Sequence, residues 1–134
     1  MSTLAARPLG PSIGRIACPA NAFPQYQSGL SATPAAIATA VLTPSVSSNT
    51  MYLTQAILTA DQVTAVVTGN ATITDGSWTL NFRFVETVSA GGALVLIFEA
   101  QPLMATTPGT AITVTVPVIS GGSTVAVSIT GYEM

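Results

Sequence analysis

The feature that most constrains this chain is a period-two alternation of apolar and polar residues. In SWTLNFRFVE, residues 77–86, every second side chain is apolar; these are Trp78, Leu80, Phe82 and Phe84. Such alternation is typical of a β-strand with one face in a core and the other in water. We therefore expect these four side chains to be core residues and not a sugar-stacking platform. AITVTV (111–116) and TVAVSITGY (124–132) repeat the pattern.

Turn signals separate the alternating segments. They are Asp75-Gly76, Gly91-Gly92, Pro108-Gly109 and Gly121-Gly122, with a further bend expected at Gly69-Asn70. Short strands at roughly 8 to 12 residue spacing between such turns indicate a sandwich or a barrel. We predict an all-β fold, an antiparallel β-sandwich with the jelly roll as its first candidate form, preceded by an extended proline-rich arm. The periodicities alone do not separate a jelly roll from a simpler Greek-key sandwich.

Prolines are concentrated near the N-terminus. Six of the nine precede residue 45: Pro8, Pro11, Pro19, Pro24, Pro34 and Pro44. Because proline lacks a backbone donor and fixes φ, we predict an extended arm over residues 1–35, without helix or central strand, and a β-sandwich domain over residues 36–134.

The arm carries apolar residues at intervals, which suits a ribbon lying against another surface. It either packs on its own domain or reaches a neighbouring subunit or partner. The candidate contact residues are Arg7, Ile13, Arg15, Ile16, Phe23 and Tyr26. The two arginines either pair with carboxylates on a partner or stay solvated and keep the arm soluble.

Charged residues make up 6% of the chain, where about 25% is typical. Threonine and serine, or partners, must therefore cover much of the surface. With three basic residues and a net charge of −2, the chain lacks the basic footprint of nucleic-acid or anionic-membrane binding. The longest strongly apolar run, ALVLIF (93–98), is far shorter than the ~20 residues of a spanning helix. The N-terminus lacks the apolar region of a secretory signal, and the single cysteine excludes an internal disulfide.

The residue types needed for catalysis are scarce. The chain has no histidine, and its three basic residues are all arginines, so imidazole, Schiff-base and His-ligated zinc chemistry are excluded. A carboxylate pair is not expected either, because Asp75 and Glu86 lie at opposite ends of one strand. We predict no catalytic residues, no metal and no cofactor, and therefore no enzyme.

The order of segments over residues 40–134 resembles a type of small structural protein of tailed bacteriophages. The resemblance is carried by NTMYLTQAILTAD, GSWTLNFRFVE, GGALVLIF, ITVTVPV and the closing STVAVSITGYEM. Such proteins are small jelly rolls that decorate capsids as cement proteins, or form trimeric head-fibre and tail-spike parts. The resemblance implies a capsid decoration protein on the virion surface, assembled in the bacterial cytoplasm. Its partners would be the major capsid protein and two further copies of itself. The alternative is a trimeric fibre, tail or spike component that binds a receptor or carbohydrate.

Overall fold

The computed structural model describes residues 19–30, 36–61, 67–86, 92–116 and 124–134. Over these ranges every regular secondary-structure element is a β-strand. The described residues contain no helix long and apolar enough to cross a membrane. The strands are β1 (Phe23–Leu30), β2 (Ala38–Leu42), β3 (Met51–Ala60), β4 (Val67–Thr74), β5 (Thr79–Glu86), β6 (Gly92–Ile97), β7 (Leu103–Met104), β8 (Ile112–Val116) and β9 (Val125–Glu133).

Two antiparallel sheets pack against each other. The first sheet has the order β1-β9-β3-β6, with short β7 also paired to β3; the second has the order β2-β8-β4-β5. The pairs β1·β9, β2·β8, β3·β6 and β4·β5 are those of one long antiparallel hairpin that has been rolled up. This arrangement is the jelly roll. The predicted all-β sandwich is confirmed, and the topology selects the jelly roll over a simpler Greek key.

The core lies between the sheets and follows the predicted alternation. In β8, Ile112, Val114 and Val116 are fully buried while the intervening threonines are half-buried. The largest fully buried apolar side chains are Leu42, Met51, Leu53, Leu58, Ile73, Ile112 and Ile129. Each sheet therefore has one inner face and one outer face, and the outer faces are the surfaces available to partners.

The prediction for β5 is only partly correct. Trp78 and Phe82 pack against the core but are partly buried, and Leu80 is 38% exposed. The physical reason is position, since β5 is the edge strand of its sheet and has a neighbour on one side only. Phe84 belongs to β5, but its side chain lies outside the described residues.

Two predicted turns are confirmed, and one predicted bend is wrong. Gly76 and Gly109 have φ of 92° and 79°, the left-handed conformation that favours glycine in turns. Gly69-Asn70 instead lies inside β4, paired with β5 across its whole length. Continuous pairing on β5 holds the backbone extended through the glycine. Of the other two predicted turns, Gly92 begins β6. Gly91, Gly121 and Gly122 lie outside the described residues.

The boundary between arm and sandwich lies earlier in the chain than predicted. Phe23–Leu30, assigned to the arm from sequence, is strand β1 and pairs residue by residue with β9. The segment is extended and is an edge strand, not a central one, as its proline content predicts. Pro24 is tolerated there because one side of an edge strand needs no ladder donor. Residues 1–18 and 31–35 lie outside the described residues.

Candidate interaction surface

The outer face of the first sheet carries no charged residue. Strand registers align its side chains in four rows. The rows are Pro24, Tyr132, Tyr52, Met104; Tyr26, Thr130, Gln55, Ile97; Ser28, Ser128, Ile57, Val95; and Leu30, Ala126, Thr59, Ala93. We call these sixteen residues the uncharged face.

Large apolar side chains are exposed along both edges of the uncharged face. On the β1 edge, Tyr26 and Leu30 are 58% and 70% exposed; on the β6 and β7 edge, Val95, Ile97 and Met104 are 50%, 64% and 52% exposed. Single exposed apolar residues are ordinary, whereas exposed apolar residues along both edges of one uncharged face favour an interaction site.

Two tyrosines on the middle strands occupy the end row of the uncharged face, between Pro24 and Met104. The rings of Tyr52 and Tyr132 stack with centroids 4.9 Å apart and planes inclined by 17°. Tyr132 is 7% exposed although it points away from the core. Beside this pair, the Tyr26 hydroxyl donates to Ser128 Oγ at 3.4 Å. The stack gives this end of the face a preformed aromatic pair.

The outer face of the second sheet is chemically different. Its registers align Thr39, Thr115, Thr72 and Asn81 in one row and Val41, Thr113, Thr74 and Thr79 in the next. Hydroxyl and amide groups hydrogen-bond water readily, so this threonine-rich face is compatible with solvent. The threonine-covered surface expected from composition is therefore one face of the sandwich and not both.

A groove of about 570 Å³ extends the uncharged face at its β6 edge. It lies where β5 of the second sheet and the β6–β7 segment of the first sheet diverge. Its lining is apolar apart from one glutamine and comprises Trp78, Leu80, Ile97, Phe98, Ala100, Gln101, Pro102, Leu103 and Met104. Ile97 and Met104 belong to both surfaces, so the groove adjoins the exposed apolar residues at the β6 edge of the face.

Asp75 uses its carboxylate to hold a turn. The backbone N–H groups of Ser77 and Trp78 donate to Oδ1 at 2.8 and 3.0 Å, and the N–H and hydroxyl of Thr106 donate to Oδ2 at 2.7 and 2.5 Å. Burial alone would raise the pKa of Asp75, but these hydrogen bonds, led by the Thr106 hydroxyl, outweigh it and lower the pKa far below its ordinary value. The carboxylate is a saturated acceptor that fastens the β4–β5 turn to the segment after β7.

Glu133 has the same role at the end of β9. Its side chain is fully buried and accepts from Gln25 Nε2 at 2.6 Å, Ser45 N at 2.5 Å, the Ser45 hydroxyl and Asn49 Nδ2 at 3.3 Å. Burial acts to raise the pKa of Glu133, and the hydrogen bonds from Ser45, Asn49 and Gln25 lower it by more. Neither buried carboxylate is placed to exchange a proton with a substrate. In the described ranges no three His, Cys, Asp or Glu side chains come together as a metal site would require.

The predicted contact residues separate in the structure. Phe23 and Tyr26 both lie on β1 and are 61% and 58% exposed, but they have opposite parity. Tyr26 belongs to the uncharged face. Phe23 pairs with Glu133 and therefore lies on the inner side of the sheet. Arg7, Ile13, Arg15 and Ile16 lie outside the described residues.

Sequence reasoning missed the β6 edge of the uncharged face. The signal was present in ALVLIF, where apolar residues occupy both parities and no polar face remains. Leu94 and Leu96 pack toward the core, and Val95 and Ile97 are left exposed on the opposite side. A strand that is apolar on both faces in a two-layer sandwich predicts an outer surface that needs a partner.

Comparison with known proteins returns no relative. No family model, no curated protein and no solved structure matches this chain. The resemblance to bacteriophage structural proteins therefore stays a prediction, and the proposals below rest on the geometry of the surface and on the composition of the chain.

Proposed function

We propose that this chain is a structural protein of a bacteriophage virion, a capsid decoration or cement protein that binds the outside of the head shell. The observation that carries the proposal is the uncharged face of a jelly-roll sandwich. Jelly rolls occur in viral capsid proteins, but also in lectins and cupins, so the fold supports the proposal by analogy only. The chemistry of the face favours a role in protein–protein contact.

The composition of the uncharged face supports such a role. The buried centres of protein–protein interfaces are poor in charge and rich in tyrosine, other aromatics and methionine. The face combines Tyr26, Tyr52 and Tyr132 with Met104 and the aliphatic Ile97. A subunit of a permanent assembly can leave such a surface apolar because the assembly covers it.

The N-terminal residues supply the proposed contact with the shell. Residues 1–18 precede β1, an edge strand, and contain Arg7 and Arg15, two of the three basic residues of the chain. Each guanidinium pairs bidentately with a carboxylate of the major capsid protein. The protein is proposed to act as a homotrimer on the capsid surface, assembled in the bacterial cytoplasm.

Co-sedimentation with emptied capsids of the producing phage tests this function. We expect the full chain to pellet with capsids at a fixed ratio, and the chain lacking residues 1–18 to remain in the supernatant. The Arg7→Ala, Arg15→Ala double variant should bind more weakly, while Arg83→Ala, a change on the exposed side of β5, should bind as the full chain does. A full chain that stays in the supernatant contradicts the decoration role. Binding that survives removal of residues 1–18 excludes the arm from the contact.

The groove favours a second candidate, a trimeric fibre, tail or spike component with a receptor- or carbohydrate-binding role. Trp78 and Gln101 line it, and an aromatic ring with a nearby amide suits stacking against a sugar and hydrogen bonding to it. A glycan array, or adsorption to host cells, tests this candidate. Gln101→Ala, an exposed substitution, should abolish any signal that arises from the groove, and Gln27→Ala, on exposed β1, is the matched control.

A further inference from the structure

We propose that the uncharged face is the surface through which copies of this chain bind one another. The inference rests on the proposed structural role and adds to it which surface the copies share. It commits to a second copy as the occupant of the face. The shell protein is the competing occupant, and the experiment below separates the two.

Charge is the first argument for a second copy. The chain has a net charge of −2, so contact between two copies is unfavourable wherever acidic groups approach one another. None of the sixteen residues of the face is charged. Asp61 and Glu99 follow the ends of β3 and β6, and Asp75 and Glu133 are buried inside the sandwich. Two copies can therefore meet here without like-charge repulsion and without desolvating an ion.

Area is the second argument. Four strands spaced about 4.8 Å apart span about 19 Å, and eight residues at about 3.3 Å each extend about 26 Å along β1. The face thus covers about 500 Å² on each copy. Two copies that meet face to face hide about 1,000 Å², the size at which specific interfaces begin, and a trimer in which each copy shares its face between two neighbours hides about 1,500 Å² in all. The adjoining groove adds to this area through Ile97 and Met104.

The contrast between the two outer faces is the third argument. Neither face has an acidic residue in its aligned rows, so the absence of acidic charge alone does not select one. The threonine-rich face presents hydroxyl groups, whereas the uncharged face presents Tyr26, Leu30, Val95, Ile97 and Met104 with half or more of each side chain exposed. Burial of apolar area stabilises association, so the copies meet through the uncharged face.

The test is the native mass of the purified chain measured without capsids. We expect a multiple of the 13.5 kDa chain mass for the wild type. Val95→Asp, on edge strand β6, should raise the dissociation constant by ~100-fold or more, because a buried unpaired carboxylate opposes association. Asn81→Asp places the same charge on edge strand β5 of the threonine-rich face and should leave the mass unchanged. Far-UV circular dichroism of each variant confirms that the fold is intact.

Leu30→Asp is the second variant, on the opposite edge of the face, in case the β6 variant does not fold. Dissociation by either folded variant, with Asn81→Asp still assembled, supports the inference. A wild type that is monomeric at every concentration tested overturns it, as does assembly that persists in each of these two variants that folds. A monomeric wild type that still pellets with capsids assigns the face to the shell protein. Conversely, an oligomer that fails to pellet contradicts the decoration role and leaves this inference standing.

Discussion

Ser45 donates two hydrogen bonds to the carboxylate of Glu133, one from its backbone N–H and one from its hydroxyl. Gln25 on β1 and Asn49 before β3 donate to the same group. One buried side chain near the C-terminus therefore connects the first strand, the last strand and the β2–β3 connection. Because β1 and β9 are farthest apart in sequence, this network fastens the closing pair of the rolled hairpin.

Replacing Glu133 by glutamine should destabilise the fold by about 1–3 kcal/mol, because one acceptor oxygen becomes an amide donor facing donors. The free energy of unfolding from urea denaturation measures the loss. Glu99→Gln is the matched control, since Glu99 is exposed and no hydrogen bond or ion pair is described for it. Its effect should stay within about 0.5 kcal/mol. Equal effects of the two substitutions would mean that the network contributes nothing to stability.

Stability should decrease in acid. The pKa values of Asp75 and Glu133 lie below their ordinary values of 3.8 and 4.5 when the chain is folded. A lower pKa in the folded state means that the ionised forms stabilise the fold. That contribution is complete well above pH 4.5 and is lost as the pH falls through the ordinary values toward the folded ones. Thermal melts from neutral pH downward should show a level region followed by a decline. Glu133→Gln should decline less steeply, and a melting temperature independent of pH would contradict the prediction.

Gly131 permits close approach between β9 and β3. A Cβ atom there would lie 2.1 Å from the backbone oxygen of Tyr52 and 2.8 Å from Leu42 Cδ1. Gly131→Ala should therefore force the strands apart and destabilise the fold by about 1–3 kcal/mol. Asn81→Ala, at an exposed position on β5 of the other sheet, is the control and should cost less than about 0.5 kcal/mol. If Gly131→Ala and the wild type unfold at the same midpoint urea concentration, β9 and β3 do not approach each other closely at Gly131.

The fold class could be read from the sequence because the alternation is local. In ITVTV the side chains themselves encode which face is buried, and the structure buries Ile112, Val114 and Val116. The pairing of β1 with β9 could not be read in this way. It joins segments about a hundred residues apart, and no local pattern encodes such a partner.

The prolines predict that Phe23–Leu30 belongs to the arm, whereas the structure makes it strand β1. Most of its residues are exposed, since an edge strand at the rim of a sandwich buries little on either side. Its place is fixed by backbone pairing with β9, by Gln25 donating to Glu133 and by Gly29 packing against the backbone of Thr39. Only part of the uncharged face follows from the sequence analysis. It predicts Tyr26 as a contact residue but does not predict the exposed side of ALVLIF.

Core packing gives a further prediction. Leu58 is fully buried between the sheets, and Leu58→Ala should cost about 2–5 kcal/mol through lost apolar burial and the cavity left behind. Ile37→Ala removes the same number of carbon atoms from a side chain that is 54% exposed and lies outside the uncharged face, and it should change stability by less than about 0.5 kcal/mol. Urea denaturation of the two variants measures the difference. A small effect at Leu58 would show that this part of the sandwich collapses around the missing atoms.

Two truncations should behave differently. Removing residues 1–18 leaves β1, Gln25 and the whole Glu133 network in place, so the remaining chain should unfold cooperatively near the wild-type temperature. Removing residues 1–30 deletes β1, opens the β9 edge of the first sheet and withdraws one donor from a fully buried carboxylate. We expect this longer truncation to melt at a clearly lower temperature and to aggregate through the newly exposed strand edge. Calorimetry and light scattering on the two proteins provide the comparison. Equal melting temperatures would show that the sandwich does not need its first strand, and would restore the domain boundary that the prolines alone predict.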